Sequence, residues 1–120
     1  MNTSIPIQPR LRIMLVREKL FFGPGTFQLL QLIDETGSVQ LACKQMGLSY
    51  SKAWKMLENM DEQLAFKVVE RQQGGSHGGR SRITPKGKAL LSRYRSFAAE
   101  CQEEMFRIFS RYFPGQDSPA

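Results

Sequence analysis

Cysteine, histidine and tryptophan are scarce in this sequence: two, one and one among 120 residues. Cys43 and Cys101 stand alone in helix-like contexts, which fits a reducing cytoplasm rather than a disulfide framework. A single histidine, His77, and no paired cysteine spacing argue against a zinc site, so no metal or other cofactor is expected. The lone imidazole sits on a flexible Gly-rich loop, and no clustered cysteines accompany it. That stretch also lacks the Gly-Lys-Ser/Thr ending of a phosphate loop, so no enzyme is expected. No run of about 20 apolar residues occurs, which excludes a membrane-spanning helix. Residues 1–9 are polar and proline-containing, without a charged stretch leading into an apolar one. They are read as a flexible N-terminus, not a secretion signal. A cytoplasmic protein with no membrane partner is the expectation.

Acid is also scarce, and where it is scarcest matters most. The chain carries 17 Lys and Arg against 11 Asp and Glu, a net of +6. Between Lys67 and Arg95 there are eight basic residues and one acid, Glu70, so this window holds +7 and the rest of the chain −1. A localised basic surface points to a polyanionic partner.

Hydrophobic spacing and breakers divide the chain. Arg10 to Phe22 reads as a β-hairpin: Leu11, Ile13 and Leu15 alternate with Arg12, Met14 and Val16, Arg17-Glu18-Lys19 turns, and Leu20-Phe21-Phe22 returns. Gly23-Pro24-Gly25 breaks the strand. Thr26 is the expected N-cap of a first helix that ends at Gly37. Ser38 caps a short second helix, Val39 to Met46, and Gly47 makes a sharp turn that needs positive φ. Ser49 caps a third helix ending near Ala65, with Ala53, Leu57, Met60 and Leu64 on one face. Val68–Gln72 and Arg80–Ile83 are strands joined by a Gly-rich tip. Thr84-Pro85 starts a last helix that runs to about Tyr112.

The segment from Gly37 to Asp61 meets the steric demands of a helix-turn-helix. Small residues, Ala42 and Cys43, let a second helix cross closely. Gly47 supplies the turn, and Ala53 and Leu57 give the following helix its apolar side. The opposite side is then free to enter a major groove. A helix-turn-helix followed by a Gly-tipped basic hairpin is a winged helix. The fold class expected is therefore mainly α with small β-hairpins (α+β): a winged helix-turn-helix domain over 10–84, a linker and dimerisation helix over 85–113, and a disordered tail over 114–120.

These residues resemble a known family. Ala42-Cys43, Met46, Ser49, Leu57 and Met60-Asp61 look like the helix-turn-helix of LysR-type regulators. Ser49-Tyr50-Ser51-Lys52-Ala53-Trp54 is similar to the recognition helix of ModE-type regulators. Val69-Glu70-Arg71, Gly74-Gly75, Gly78-Gly79, Ile83-Thr84, Gly87 and Leu90-Leu91 match the wing and linker of the same group. The resemblance covers about residues 10 to 112. It implies a DNA-binding transcription regulator, dimeric through the N-terminal hairpin and long helix, with a link to molybdate- or metal-related genes. ModE-type proteins add C-terminal oxyanion-binding domains. This chain is read as a stand-alone DNA-binding domain, which would leave sensing to a separate sensor protein.

The expected partner is double-stranded DNA with a palindromic-like operator. The residues assigned to it are Gln40 at the start of the second helix, Ser49, Tyr50, Ser51, Lys52 and Lys55 on the third, His77, Arg80 and Arg82 on the wing, and Lys86 opening the last helix. Trp54 is expected to pack beneath the recognition helix. In the last helix Leu91, Tyr94, Ala98, Cys101, Met105, Ile108 and Tyr112 recur at alternating intervals of 3 and 4. This heptad stripe is read as the seam of a homodimer. The rival reading, a winged-helix adaptor that binds protein and not DNA, is countered by the basic wing and recognition face.

Overall fold

Short-range capping organises most of the chain. The structure is a computed structural model that describes residues 5–72 and 80–116. Ser38 Oγ accepts the N–H of Leu41 at 3.0 Å and opens α2 (Val39–Met46), which Gly47 closes at φ 66°. Ser49 Oγ accepts the N–H of Lys52 and opens α3 (Tyr50–Leu64). Thr84 Oγ1 accepts the N–H of Gly87 and opens α4 (Pro85–Tyr112), with Pro85 at its first position. Each cap satisfies a backbone donor that the helix itself leaves unpaired.

The first helix, α1 (Pro24–Thr36), departs from expectation at its start. Pro24 is its first residue and Gly23 its cap. Thr26 is therefore not the N-cap but the third helical residue. Its Oγ1 reaches back to accept the N–H of Gly23 at 2.7 Å. The reason is that a proline lacks the N–H that a first helical position would leave unpaired, so the break after the hairpin doubles as the helix start.

The N-terminal hairpin is also shorter than expected. Only β1 (Leu15–Val16) and β2 (Leu20–Phe22) pair, antiparallel, with an irregularity between Leu15 and Val16. The return strand has three residues before α1 begins, so Arg10 to Met14 have no strand to pair with. That stretch is held by α4 instead: Tyr94 Oη donates to Ile13 O at 2.8 Å. At the turn, the buried Gln63 of α3 accepts the N–H groups of Glu18 and Lys19 through its Oε1, at 2.9 and 3.1 Å.

The second hairpin pairs β3 (Val69–Gln72) with β4 (Arg80–Ile83), in the register Val69–Ile83, Glu70–Arg82, Arg71–Ser81 and Gln72–Arg80. The order of helix, helix, helix and hairpin is that of a winged helix. One core joins all these elements, built on Phe22, Leu29, Leu30, Ile33, Val39, Ala42, Ala53, Leu57, Met60, Val68 and Ile83. Among the described residues no helix is long and apolar enough to cross a membrane.

α4 plays two parts. Its 28 residues extend about 42 Å at 1.5 Å per residue, most of the 58 Å length of the molecule. Leu91 and Tyr94 are buried in the chain's own core, 4% and 6% exposed. Tyr94 meets Phe22 edge-on at 4.8 Å and Phe27 at 5.2 Å. These two members of the heptad stripe are therefore not seam residues, because their faces are already filled. Ala98 packs at the edge of the core, Cys101 and Met105 are half-buried, and Ile108 and Tyr112 are exposed on the projecting half.

Candidate nucleic-acid interface

Two small residues set the height of α3 above α2. Ala42 and Ala53 are both fully buried, and a larger side chain at either would force the helices apart. Beside them the Cys43 thiol lies 3.9 Å from Ser49 O. Burial pushes its pKa up, which disfavours the thiolate and marks it as packing rather than chemistry. Among the described residues no cluster of His, Cys, Asp and Glu could hold a metal.

With Ala53, Leu57, Met60 and Gln63 facing inward, the first turns of α3 turn Tyr50, Ser51, Lys52 and Lys55 to solvent. Ser49 is exposed but spends its hydroxyl on the cap. Gln40, in the first turn of α2, is exposed. All of them thus stand at exposed positions of α2 and α3 or of the turn before α3.

The wing is anchored at its base. Ser81 N donates to Gly37 O at 2.9 Å, and Thr84 N donates to Val68 O at 3.0 Å. Side chains alternate along a strand, so Val69, Arg71, Ser81 and Ile83 share one face, and Glu70, Arg80 and Arg82 the other. Arg82 pairs with Glu70 across the ladder, at 3.3 Å, in an exposed bridge. Such a bridge is worth about 0–1 kcal/mol, so Arg82 is held only loosely by it. His77 lies outside the described residues.

At the start of α4, Lys86 sits 5.6 Å over the ring of Phe66, and Lys88 pairs with Asp34 at 3.9 Å. Lys52, Lys55 and Arg80 have no carboxylate within pairing distance among the described residues. A basic surface with its cations uncommitted retains its full attraction for an anion.

Trp54 is half-buried and packs against the core where the wing meets α3. The guanidinium of Arg71 lies 4.2 Å over its ring, and Tyr50 meets it edge-on at 6.1 Å. Sequence reasoning counted Arg71 in the basic window but gave it no role, because its partner stands 17 positions away on another element. The strand alternation that places it on the inner face was the one signal available.

Residues 25–88 match the model of a family described as bacterial regulatory helix-turn-helix protein, lysR family. Among curated proteins, the chain is similar to the DNA-binding transcriptional dual regulator ModE of Escherichia coli (strain K12). It is 33% identical over 95 residues, covering 79% of this chain and 36% of that protein. It is similar to the transcriptional regulator ModE of Haemophilus influenzae, 33% identical over 107 residues, 89% of this chain and 40% of that one. It is also similar to the molybdenum-pterin-binding protein MopB of Rhodobacter capsulatus, 36% identical over 87 residues, 72% of this chain and 32% of that one. The chain thus spans about a third of the length of these relatives. Among solved structures, CbnR, a LysR family transcriptional regulator, superimposes with a TM-score of 0.54 at 20% identity, over 72% of this chain and 28% of that one. The BenM_DBD chain of a BenM_DBD/benA site 1 DNA complex does so with 0.54 at 16% identity, over 73% of this chain and 95% of that one. These two likenesses bear on the fold. With the family match spanning more than half of its residues, the chain belongs to the bacterial regulatory helix-turn-helix proteins of the lysR family.

Proposed function

We propose that the chain is a transcription regulator that binds double-stranded DNA as a homodimer, with α3 in the major groove and the wing along the backbone. The observation that carries this reading is the exposed first half of α3. Lys52 and Lys55 stand there with no acidic partner among the described residues, and the Arg71–Trp54 contact brings the basic wing alongside. In this reading Tyr50, Ser51, Lys52 and Lys55 face base edges. Gln40, Arg80, Arg82, Lys86 and His77 hold the sugar–phosphate backbone. The names of the relatives support it: one ModE protein is a DNA-binding transcriptional dual regulator. The solved BenM_DBD is in complex with DNA. The ModE and MopB names further support target genes connected with molybdenum.

The dimer rests on the projecting half of α4. Phe97, Ile108 and Tyr112 are 49%, 45% and 74% exposed there. Apolar residues along one side of a lone projecting helix need a covering partner. A second copy would place two recognition helices on successive turns of one face of the duplex, which suits an operator of two related half-sites.

Fluorescence anisotropy with duplex DNA at a series of salt concentrations tests the reading. Affinity should fall steeply with salt, with a log–log slope of roughly −0.9 for each phosphate held. No binding at low salt, or an affinity that ignores salt, would overturn it.

A further inference from the structure

Trp54 is the only tryptophan of the chain, and its environment is peculiar. Its indole Nε1 is buried and has no hydrogen-bond partner among the described residues. An unpaired buried N–H is a cost that leucine or phenylalanine would avoid while filling the same space. What indole offers in exchange is the strongest aromatic face for a cation, and a cation occupies that face: the Arg71 guanidinium at 4.2 Å. Arginine suits the role better than lysine, because its planar group stacks on a ring.

The strand geometry separates Arg71 from the other wing arginines. It shares the inner face with Val69, Ser81 and Ile83, whereas Arg80 and Arg82 point the other way. Directly across the ladder from Arg71 is Ser81, whose N–H is tied to Gly37 O at the end of α1. The root of the wing is thus fastened on two sides, to α1 through β4 and to α3 through Arg71. Trp54 also meets Tyr50 edge-on, the first residue of α3, so the contact runs from the wing to the exposed end of that helix.

We infer that Arg71 is a positioning residue: stacked on Trp54, it sets the angle of the wing to α3, so that the two engage one duplex together, and it does not itself hold a phosphate. This rests on the DNA-binding reading above.

The test combines the free protein with DNA titrations. In free protein, Arg71→Ala and Arg71→Lys should both shift the emission of Trp54 and raise its quenching by acrylamide, with the melting transition still cooperative. In titrations both should weaken duplex binding roughly three- to tenfold, the scale of one cation–π contact. Their salt slopes should equal that of the native chain. Trp54→Leu should produce the same loss, and Arg71→Ala added to Trp54→Leu should cost nothing more. Three results would overturn the inference. One is unchanged Trp54 emission in both Arg71 variants. Another is native affinity in Arg71→Lys together with a slope about 0.9 shallower in Arg71→Ala, which would make Arg71 a phosphate contact. The third is additive losses in the double variant. If the native chain binds no duplex, the DNA reading fails and the positioning role with it, while the emission measurement still decides whether the stack exists.

Discussion

Gly87 is the third residue of α4, and it is buried. In an open helix, replacing glycine by alanine gains about 1 kcal/mol from propensity. Here the added Cβ would stand 2.7 Å from Val68 O, 2.8 Å from Ile83 Cγ2 and 3.2 Å from Thr84 Oγ1. Ordinary contact begins near 3.4 Å, so the start of α4 would have to withdraw from Val68, just before β3, by about 0.7 Å. Two of these three neighbours cannot give way easily. Val68 O already accepts the N–H of Thr84 at 3.0 Å. Thr84 Oγ1 donates to Lys67 O at 2.7 Å while it accepts the N–H of Gly87 at 3.0 Å. Overpacking costs about 1–3 kcal/mol and a weakened cap up to about 1 more, against the propensity gain. Gly87→Ala should therefore destabilise the fold by about 1–3 kcal/mol. Gly25, in the first turn of α1, has nothing within 4 Å of a Cβ and provides the internal comparison. Gly25→Ala should stabilise by about 0.4–1 kcal/mol. Urea denaturation of both variants, at unchanged m value, reads the difference. If Gly87→Ala is as stable as the native chain, or if both variants shift the same way, the close approach of α4 to Val68 does not control this joint.

Four further outcomes are expected. Asp61 accepts the N–H of Val68 at 2.9 Å, and burial raises its pKa above the ordinary 3.8 despite that bond and the nearby Lys67. Its contribution is complete below the ordinary value and is lost as pH rises through the raised one. Asp61→Asn, which keeps an acceptor without the charge, should gain on the native chain as pH rises through that range; thermal melts from acid to neutral pH that show a constant difference would reject this. Gln63→Leu leaves the N–H groups of Glu18 and Lys19 without their acceptor, so it should cost about 1–3 kcal/mol. Exchange protection lost elsewhere than in the β1–β2 turn would contradict it. Lys52→Ala should cost about 1–3 kcal/mol on a selected operator and alter sequence preference, whereas Arg80→Ala should weaken all duplexes alike and flatten the salt slope by about 1. Equal behaviour of the two on selected and random DNA would refute the division of roles. Ile108→Glu puts a charge on the projecting half of α4 and should weaken self-association by about 1.4 kcal/mol or more, tenfold; light scattering that finds the native chain monomeric at micromolar concentration removes the homodimer.

Sequence alone determined the elements whose causes are local. Ser38, Ser49 and Thr84 cap the helices that follow them, because each hydroxyl reaches an N–H three residues on in its own chain. Gly37 and Gly47 end α1 and α2 at positive φ, which needs no distant partner either. The exposed recognition face was legible for the same reason: the helical period that buries Ala53, Leu57 and Met60 leaves Lys52 and Lys55 outside. Tertiary structure decided whatever depends on a partner far along the chain. Gln63 is a polar residue that nothing in the sequence singles out, but it is buried and accepts two N–H groups at the hairpin turn, over forty positions earlier. The heptad stripe of α4 is continuous in sequence, yet the chain's own core takes Leu91 and Tyr94, the latter against Phe22 and Phe27, and leaves the projecting half exposed. Arg71 could be counted as charge from the sequence. Only the packing of a strand against α3 brings that exposed charge over Trp54, since a side chain's face in a sheet is set by pairing register and its neighbours by the fold.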